Sequence, residues 1–398
     1  MVARLESNPN APGNDPVSAA RALRPEIEAM RAIIDAEQAF PEPIVDAMRG
    51  AQLFQLSLPA NLGGPENHPL VSFEAIEALA SADGSVGWCA SISTSTSLFV
   101  GGWLEPEIAT TLFGTPPDAR MSGSVRAEGR ADIVNHGFRV TGRWDFASNI
   151  NQARWLFCSC KLWKNGEPLL TPNGMPRVRT MLIPRDRVEL IPTWDVVGMR
   201  ATGSHDFAVN DAFVPDAHSL SLAEAPKQAG HLYHPRFAMS AAWTTTAAVA
   251  LGIGRGAIDN FRALAESTNS TGARDSLLRD RPRVQGLAGE AEAIINSARA
   301  FLVNAIGTAW DSLETDADDP GPQIAQARLA ITHAMHESIR AVDKLFRAAG
   351  TNAVYEKNGI ERWFRDVHVA AQHAAGQPTH YETAGKTILG ISLREPGW

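Results

Sequence analysis

Gly252, Gly254 and Gly256 form the pattern in this sequence that is nearest to a nucleotide-binding loop. A dinucleotide loop follows a β-strand and opens a helix, and its glycines have the spacing Gly-x-Gly-x-x-Gly. Here no strand pattern precedes the glycines, they lie inside a helical run, and the last comes one residue too early. We therefore interpret them as residues that allow two helices to pack closely.

Two further pairs, Cys158 with Cys160 and His333 with His336, have a spacing that could support chemistry. The cysteines alternate on a predicted strand, which puts both sulfurs on one face, and we interpret them as small buried hydrophobic residues. A helical bundle holds a di-iron centre with Glu-x-x-His pairs, and this pattern does not occur in the sequence. The three cysteines contain no Cys-x-x-Cys pair, so we predict neither a metal site nor a disulfide framework.

The composition excludes several classes of partner. The chain has 398 residues and a formal net charge of −8, and its 36 basic residues form no continuous patch. Nucleic acid and anionic membranes are therefore poor partners. No apolar run is long enough to span a bilayer, and the polar N-terminal segment does not resemble a signal peptide. We expect a cytoplasmic enzyme.

Hydrophobic periodicity divides the chain into three parts. Helical spacing covers residues 17–113 and includes two buried helices that break at Asp83 and Gly84. Short alternating runs separated by turn residues then predict an antiparallel β domain. Helical spacing returns in three long segments, the last ending at Gly350, and in a shorter fourth segment, 360–376. The predicted α+β architecture is an N-terminal helical domain (1–113), a central antiparallel β domain (114–223) and a C-terminal four-helix bundle (224–398).

Five segments, in order along nearly the whole chain, resemble segments of the acyl-CoA dehydrogenase fold. They are residues 81–93, 121–155, 194–215, 346–366 and 368–376. More narrowly, the chain resembles the two-component flavin-dependent monooxygenases, which hydroxylate phenols, steroid catabolites and polyketides. This resemblance implies an acyl-CoA dehydrogenase-like fold and an oxygenase component. Such a component uses reduced flavin (FMNH2 or FADH2) and O2, through a C4a-hydroperoxide, to hydroxylate an aromatic substrate.

The same resemblance implies a flavin site. Ser124 and the segment 146–149 fall where the dehydrogenases have a Thr-rich turn and the strand that grips the flavin ring. Ser148 is then expected to meet the flavin N5 and to retain its proton, and strand alternation predicts that Phe146 and Ser148 share a face. The implied cofactor-binding residues are Ser124, Ser148, Asn149, Trp155, Arg200, Thr202, Ser204, Gly350 and Thr351, of which the last two meet a neighbouring subunit's cofactor.

One departure from the dehydrogenases concerns the catalytic base. Their catalytic Glu follows a few residues after an Arg-Asp pair, here Arg365 and Asp366, and this chain has His373 in that region. The monooxygenases place a His in this C-terminal helix, which implies that His373 is catalytic. A phenol has a pKa near 10, so a histidine base could help to form the phenolate. His368 and His380 are the alternatives to His373.

Other functions and partners stay open at this point. One alternative is an acyl-CoA dehydrogenase with a displaced base such as Glu382, and tightly bound oxidised FAD would favour it. A second is a nitrogen- or sulfur-oxidising monooxygenase of the same fold, and a third is a non-enzymatic flavin-storing relative. Several members of the family carry a His on the pocket helix, whereas residues 93–97 here offer Ser and Thr. We expect a separate NAD(P)H–flavin reductase, since no NAD(P)H site is recognisable, and a homotetramer built through the long C-terminal helices.

Overall fold

The computed structural model describes residues 15–270, 273–315 and 319–391, and these contain eleven α-helices. Residues 1–14 lie outside the described part. The prediction that the N-terminal segment is not a signal peptide falls mostly on these residues. The helices are α1 (Pro16–Ala22), α2 (Arg24–Glu37), α3 (Glu42–Gly50), α4 (Pro69–Ala82), α5 (Gly84–Trp103), α6 (Pro106–Phe113), α7 (Ala238–Ser267), α8 (Pro282–Glu314), α9 (Gly321–Ala349), α10 (Ile360–Ala370) and α11 (Thr379–Ile388). Among the described residues, no helix combines the length and the hydropathy needed to cross a bilayer.

The strands lie between α6 and α7, except for a short hairpin between α7 and α8. They are β1 (Met121–Val134), β2 (Gly137–Ala147), β3 (Trp155–Lys164), β4 (Glu167–Pro168), β5 (Val178–Pro184), β6 (Glu189–Ile191), β7 (His205–Pro215), β8 (Ser219–Leu220), β9 (Asn269–Ser270) and β10 (Ala273–Leu277). The central sheet has the order β6-β7-β2-β1-β3-β5-β8, with β4 paired to β3.

The sheet is mixed, so the prediction of a purely antiparallel domain was wrong. β1 and β2 form an antiparallel hairpin, but β3 pairs with β1 in parallel, with Met121 opposite Trp155. Since β2 occupies one edge of β1, the chain crosses to the other edge and starts β3 in the direction of β1. Alternating hydrophobicity reveals that a segment is a strand, but it does not reveal which edge the strand joins.

The helical parts before and after the sheet share one apolar core, whereas the sheet has a core of its own. The glycines of α7 permit this close packing: a Cβ on Gly252 would lie 2.6 Å from Glu77 O, and one on Gly256 would lie 2.7 Å from Ser81 O, both in α4. The prediction that these glycines serve helix packing is therefore confirmed. The division of the chain at residues 113 and 223 stays a prediction.

The break between α4 and α5 is confirmed at Asp83, whose carboxylate accepts the N–H groups of Ser85 at 2.9 Å and Val86 at 3.1 Å. Helix α5 is buried on almost every side. Its only residues that keep appreciable exposure are Trp88, Ile92, Ser95 and Phe99, at intervals of four, three and four residues. This spacing places the four side chains on one stripe of the helix, which we call the α5 stripe.

The C-terminal part contains the three predicted long helices, α7, α8 and α9, and α9 ends at Gly350 with a φ of 58°. The fourth predicted helical segment, 360–376, is shorter than expected because α10 ends at Ala370. His373 therefore does not lie on a helix as predicted. It precedes a 3-10 turn, Ala374–Gly376, whose first N–H groups need an acceptor that a side chain can supply.

Candidate active site

Trp88 of α5 contacts both residues that the sequence suggested as catalytic. Its indole N–H donates a hydrogen bond to Ser148 Oγ at 3.0 Å. Its ring also meets the imidazole of His373 edge to face, with centroids 5.4 Å apart and an interplanar angle of 82°. The structure thus brings Ser148 and His373 into contact with the same tryptophan, which the sequence analysis did not single out.

Three hydroxyl groups, the first of them that of Ser148, form a continuous series of hydrogen bonds. Ser148 Oγ lies 2.7 Å from Ser204 Oγ, which lies 2.7 Å from Thr202 Oγ1. Thr202 Oγ1 donates to the carbonyl oxygen of Met199 at 2.9 Å, and a carbonyl can only accept. The single proton of Thr202 is therefore used there, so Ser204 must donate to Thr202, and Ser148 must donate to Ser204. We call the resulting series, from Trp88 through Ser148, Ser204 and Thr202 to Met199, the hydroxyl chain.

The direction of the hydroxyl chain defines what Ser148 can still do. A hydroxyl oxygen has one proton and two lone pairs. The Ser148 proton goes to Ser204, and one lone pair receives the Trp88 N–H, which leaves one lone pair available. Ser148 can thus accept one further hydrogen bond from a ligand, and it has no proton to donate without breaking the chain.

The backbone of Ser148 is fixed as firmly as its side chain. Ser122 Oγ donates to the carbonyl oxygen of Ser148 at 2.6 Å. The N–H of Asn149 donates to the carbonyl oxygen of Thr202 at 2.8 Å, and Asn149 has a positive φ of 64°. These contacts join the end of β2 to β1 and to the turn before β7. Ser122 was missed in the sequence because a strand serine carries no distinctive local signal.

The regular strand alternation from which we predicted a shared face for Phe146 and Ser148 is not present in the structure. Between Trp144 and Ala147 the pairing of β2 with β7 shifts by one residue, and Phe146 takes a φ of 58°. This bulge interrupts the alternation on which the prediction depended. Phe146 is 55% exposed, while Ser148 is 6% exposed. Arg126 covers one side of the phenyl ring at 5.1 Å, and the ring of Trp194 lies 6.0 Å away.

Two buried donors beside the hydroxyl chain have no partner among the described residues: Asn149 Nδ2 and Arg200 Nε. A buried donor without an acceptor is costly, so native proteins usually leave one only where a ligand or a water completes it. A flavin ring offers carbonyl oxygens and ring nitrogens as acceptors, an N–H at N5 when it is reduced, and a planar face. Asn149, Arg200, the open lone pair of Ser148 and the exposed ring of Phe146 therefore fit a flavin.

The other predicted flavin residues lie outside the hydroxyl chain. Ser124 Oγ accepts the N–H of Arg126 at 3.4 Å, and Trp155 packs edge to face on His218, with centroids 5.6 Å apart. Gly350 and Thr351 lie in the 3-10 turn that follows α9. Their part in cofactor binding stays a prediction.

His373 is held by its own turn. Its Nδ1 accepts the N–H of Ala375 at 3.2 Å, which caps the Ala374–Gly376 turn. Burial lowers the pKa of the His373 imidazole from its usual value near 6.5 to about 4. His373 is therefore neutral at physiological pH.

The alternative residues are placed differently. His368 lies on α10 with its Nε2 3.1 Å from a carboxylate oxygen of Asp343. His380 Nε2 lies 2.9 Å from the carbonyl oxygen of Ala374. The imidazole ring of His380 packs against the indole ring of Trp243. Glu382 is exposed on α11. Neither His368 nor Glu382 has the contact with Trp88 that marks His373.

A buried ion cluster supports both ends of the hydroxyl chain. Arg362 of α10 forms a close ion pair with Asp83, the residue that caps α5, and lies 3.8 Å from Asp366. Asp366 Oδ1 in turn accepts the N–H of Met199 at 2.5 Å. Burial raises the pKa of the Asp366 carboxyl to about 6. Arg362 thereby connects the helix of Trp88 with the peptide that ends the hydroxyl chain.

Comparison with known proteins identifies the family to which the chain belongs. Two family models match, "Acyl-CoA dehydrogenase, N-terminal domain" over residues 17–102 and "Acyl-CoA dehydrogenase, C-terminal domain" over residues 244–378. The indole-3-acetate monooxygenase of Pseudomonas putida is 30% identical, with 89% of each chain covered. The oxygenase subunit HsaA of a flavin-dependent monooxygenase from Mycobacterium tuberculosis is 29% identical, over 89% of this chain and 90% of the relative.

The structure is also similar to solved structures. The structure of XiaF from a Streptomyces species, in complex with FADH2 and glycerol, superposes with a TM-score of 0.86 and 24% identity, over 96% of each chain. Together with the monooxygenase relatives, which match over 89–90% of their length, these matches confirm the resemblance inferred from the five segments. The chain therefore belongs to the flavin-dependent monooxygenases that share the acyl-CoA dehydrogenase fold.

Proposed function

We propose that this enzyme is the oxygenase component of a two-component system that hydroxylates an aromatic substrate. As a member of its family it uses reduced flavin and O2. The observation that carries the proposal is the hydroxyl chain, because it leaves Ser148 with one open lone pair and no free proton. A neutral acceptor of this kind suits the N5–H of a reduced flavin.

The chemistry explains why such an acceptor is useful. Reduced flavin, when bound, supplies the electrons that activate O2, and the proposed oxidant is a C4a-hydroperoxide. Ser148 would accept the N5–H hydrogen bond and hold that proton in place. A serine hydroxyl does not titrate in the physiological range, so this contact would persist over a wide pH range. Asn149, Arg200 and Phe146 would hold the remaining edges and one face of the ring.

The α5 stripe supports an aromatic substrate. It starts at Trp88, beside Ser148 and His373, and continues through Ile92 and Ser95 to Phe99. Two aromatic side chains and one aliphatic side chain offer apolar contact to a flat ring, and apolar walls with few polar groups are typical of small-molecule sites. We infer that the substrate lies along this stripe.

The packing of α7 supports the proposal of a separate NAD(P)H–flavin reductase. The glycine pattern nearest to a dinucleotide loop is buried inside that helix, where Gly252 and Gly256 pack on α4. These glycines are not available to bind a nucleotide phosphate. We therefore propose that the reduced flavin is delivered by another protein.

We also propose the homotetramer expected from the long C-terminal helices. The last described helix presents exposed apolar side chains at its end, with Ile388 67% and Leu389 76% exposed. Such groups favour burial against another subunit. Sedimentation of the purified protein at micromolar concentration tests this, and a monomer would contradict it.

A stopped-flow experiment tests the proposed function. Under anaerobic conditions the full chain is first mixed with chemically reduced FMN or FAD. The complex is then mixed with O2, and the absorbance of the flavin is followed. We expect a long-lived oxygenated species that decays slowly to oxidised flavin and releases little hydrogen peroxide. Ser148→Ala should shorten its lifetime and increase the peroxide released.

The control is reduced flavin alone under the same conditions. If the protein leaves the time course of free flavin unchanged, the proposal is wrong. Purification with tightly bound oxidised FAD that an acyl-CoA thioester reduces would instead support a dehydrogenase.

A further inference from the structure

The turn that holds His373 determines which ring nitrogen carries its proton. The N–H of Ala375 can only donate, so Nδ1 of His373 must present a lone pair to it. A neutral imidazole has one N–H and one lone pair. The proton of neutral His373 is therefore on Nε2.

The nitrogen that carries the proton is the one open to a ligand. Among the described residues no group forms a hydrogen bond with His373 Nε2, whereas the other ring nitrogen is engaged by the turn. The contact with Trp88 holds the imidazole at the start of the α5 stripe, where the indole N–H of the same tryptophan binds Ser148. A substrate bound along the stripe would meet an N–H donor there.

The surroundings of His373 do not favour its protonated form. From α9, His336 Nε2 lies 2.8 Å from the carbonyl oxygen of Gly376, and Thr332 Oγ1 donates to that of Ala375. From the next helix, His380 contacts the carbonyl oxygen of Ala374. From α5 the neighbour is the neutral indole of Trp88. No carboxylate is among these contacts, and burial lowers the pKa of His373 to about 4.

A base needs a lone pair where the substrate proton arrives. In this arrangement the lone pair on Nδ1 accepts from Ala375, and Nε2 already bears a proton. Protonation at Nδ1 would bring two N–H groups face to face and would break the cap of the turn. His373 is thus poorly arranged to remove a proton from a phenol.

We propose that His373 acts through its Nε2–H, which donates a hydrogen bond to an acceptor oxygen on the aromatic substrate, and that it does not act as a base. The substrate class is an aromatic ring bearing such an oxygen, whether hydroxyl, phenolate or ether. This inference rests on the proposed function for the identity of the reaction, but the tautomer and the donor contact can be measured without any flavin.

The first experiment is solid-state 15N NMR on the full-length, flavin-free protein labelled at histidine. The His373 signals are assigned by their loss in His373→Gln. We expect a neutral imidazole protonated at Nε2, unchanged between pH 8 and pH 6. A neutral ring protonated at Nδ1, or an imidazolium at pH 7, would overturn the proposal.

The second experiment adds three probes of similar shape to the same sample: phenol, anisole and toluene. Phenol and anisole both carry an oxygen that can accept from Nε2–H, but anisole has no acidic proton, and toluene has no oxygen. We expect phenol and anisole to shift the Nε2–H resonance and toluene to leave it unchanged. A response to phenol alone would indicate a base, and equal responses to all three would indicate that no hydrogen bond forms.

The third experiment compares conservative variants. The side-chain amide of Gln can place an N–H near the position of Nε2, but it cannot act as a base. We expect His373→Gln to keep most of the product formed per reduced flavin, and His373→Ala to lose about tenfold, the effect of one missing hydrogen bond. Loss of a base would instead cost about 10²–10⁴-fold in both variants.

His368→Gln is the matched control, since His368 contacts Asp343 and not Trp88, and it should behave like the unmodified protein. If His373→Gln fails as completely as His373→Ala while its thermal unfolding is unchanged, the donor role is wrong. If the stopped-flow test shows no oxygenated flavin but the NMR result holds, the proposed function fails and the tautomer assignment stands.

Discussion

Trp88 and Ser148 are 60 residues apart in the chain, yet the indole N–H of Trp88 donates to Ser148 Oγ at 3.0 Å. An indole nitrogen can only donate, just as the Met199 carbonyl at the other end can only accept. The acceptor at the Met199 end gives the three hydroxyls one orientation, and the donor at the Trp88 end occupies one of the two lone pairs of Ser148. The site therefore presents a defined acceptor before any ligand arrives.

The first prediction tests this fixed donor. Trp88→Phe keeps an aromatic ring near His373 but removes the indole N–H, so the Ser148 side chain loses one of the two hydrogen bonds that hold it in place. We expect the lifetime of the oxygenated flavin to fall about 3- to 10-fold, which corresponds to the net free energy of one hydrogen bond. Stopped-flow absorbance and released hydrogen peroxide measure the effect.

Trp103→Phe is the control for that variant. Trp103 lies at the other end of the same helix and also donates a hydrogen bond through its indole, to the carbonyl oxygen of Glu224. Its replacement should leave the lifetime unchanged. Equal effects of the two substitutions would show that a general change in α5, and not the Ser148 contact, was responsible.

The second prediction concerns Thr202. Thr202→Val has nearly the same shape but removes both the proton given to Met199 and the acceptor used by Ser204. Because these groups are buried, we expect a loss of about 1–3 kcal/mol in the free energy of unfolding, together with more peroxide release. Thr202→Ser should restore both properties.

Thr244→Val serves for comparison. Thr244 is also buried, but its hydroxyl donates within α7 to the carbonyl oxygen of Ser240. This variant should affect stability without changing the ratio of product to peroxide. If Thr202→Val also leaves that ratio unchanged, the hydroxyl chain has no part in controlling the oxidant.

The third prediction uses the exposed ring of Phe146. Its positive φ of 58° is unfavourable for a bulky residue, and more than half of its surface is exposed. We expect Phe146→Gly to stabilise the flavin-free protein, because glycine adopts this φ without strain. It should also weaken the binding of reduced flavin about 3- to 10-fold, the usual value of an aromatic contact.

Equilibrium titration of reduced flavin without oxygen, and denaturant unfolding, provide the two measurements. Phe213→Gly is the control, since Phe213 is 43% exposed on the same sheet but has a φ outside the positive region. That variant should not become more stable. Unchanged flavin affinity in Phe146→Gly would exclude the phenyl ring from the cofactor site.

The fourth prediction is a dependence of stability on pH through Asp366. Its pKa is raised to about 6 in the folded protein, from a usual value near 3.8. Between these values the folded state binds more protons than the unfolded state, so this group lowers the free energy of unfolding as pH rises. The full effect is at most about 3 kcal/mol. Asp366→Asn should remove this decline, as urea unfolding at pH 4 to 7 can measure.

The fifth prediction is the opposite dependence through His373. Its pKa is lowered to about 4, so between pH 4 and 6.5 the unfolded state binds more protons, and stability rises with pH. The two contributions oppose each other over much of the same range. Asp366→Asn should therefore expose a rise, and His373→Gln a decline. Parallel curves for the original protein and both variants would contradict the two shifted pKa values.

The sequence was sufficient for the family and for the elements that carry the site. The break at Asp83, the packing role of Gly252 and Gly256, and the end of α9 at Gly350 were predicted from spacing, and the structure confirms them. These features depend on local backbone preferences or on a repeat along one helix. Such information is present within a short stretch of chain.

Other features depend on contacts between distant segments, and the sequence did not reveal them. The bulge at Phe146 follows from the pairing of β2 with β7, and the parallel pairing of β3 follows from the position of β2. The role of Trp88 appears only when its helix is packed against Ser148 and His373. The tautomer of His373 likewise depends on a turn that periodicity predicted to be helix.

Arg362 has a consequence for recombining this chain with its relatives. It pairs with Asp83, 279 residues earlier in the chain, while Asp366, one helical turn further on, holds Met199, which is 167 residues earlier. A chimera that takes its first half from one relative and its last helices from another would exchange one member of each pair without the other. Crossover points that keep Asp83, Met199, Arg362 and Asp366 from a single parent should give active hybrids far more often than points that separate them.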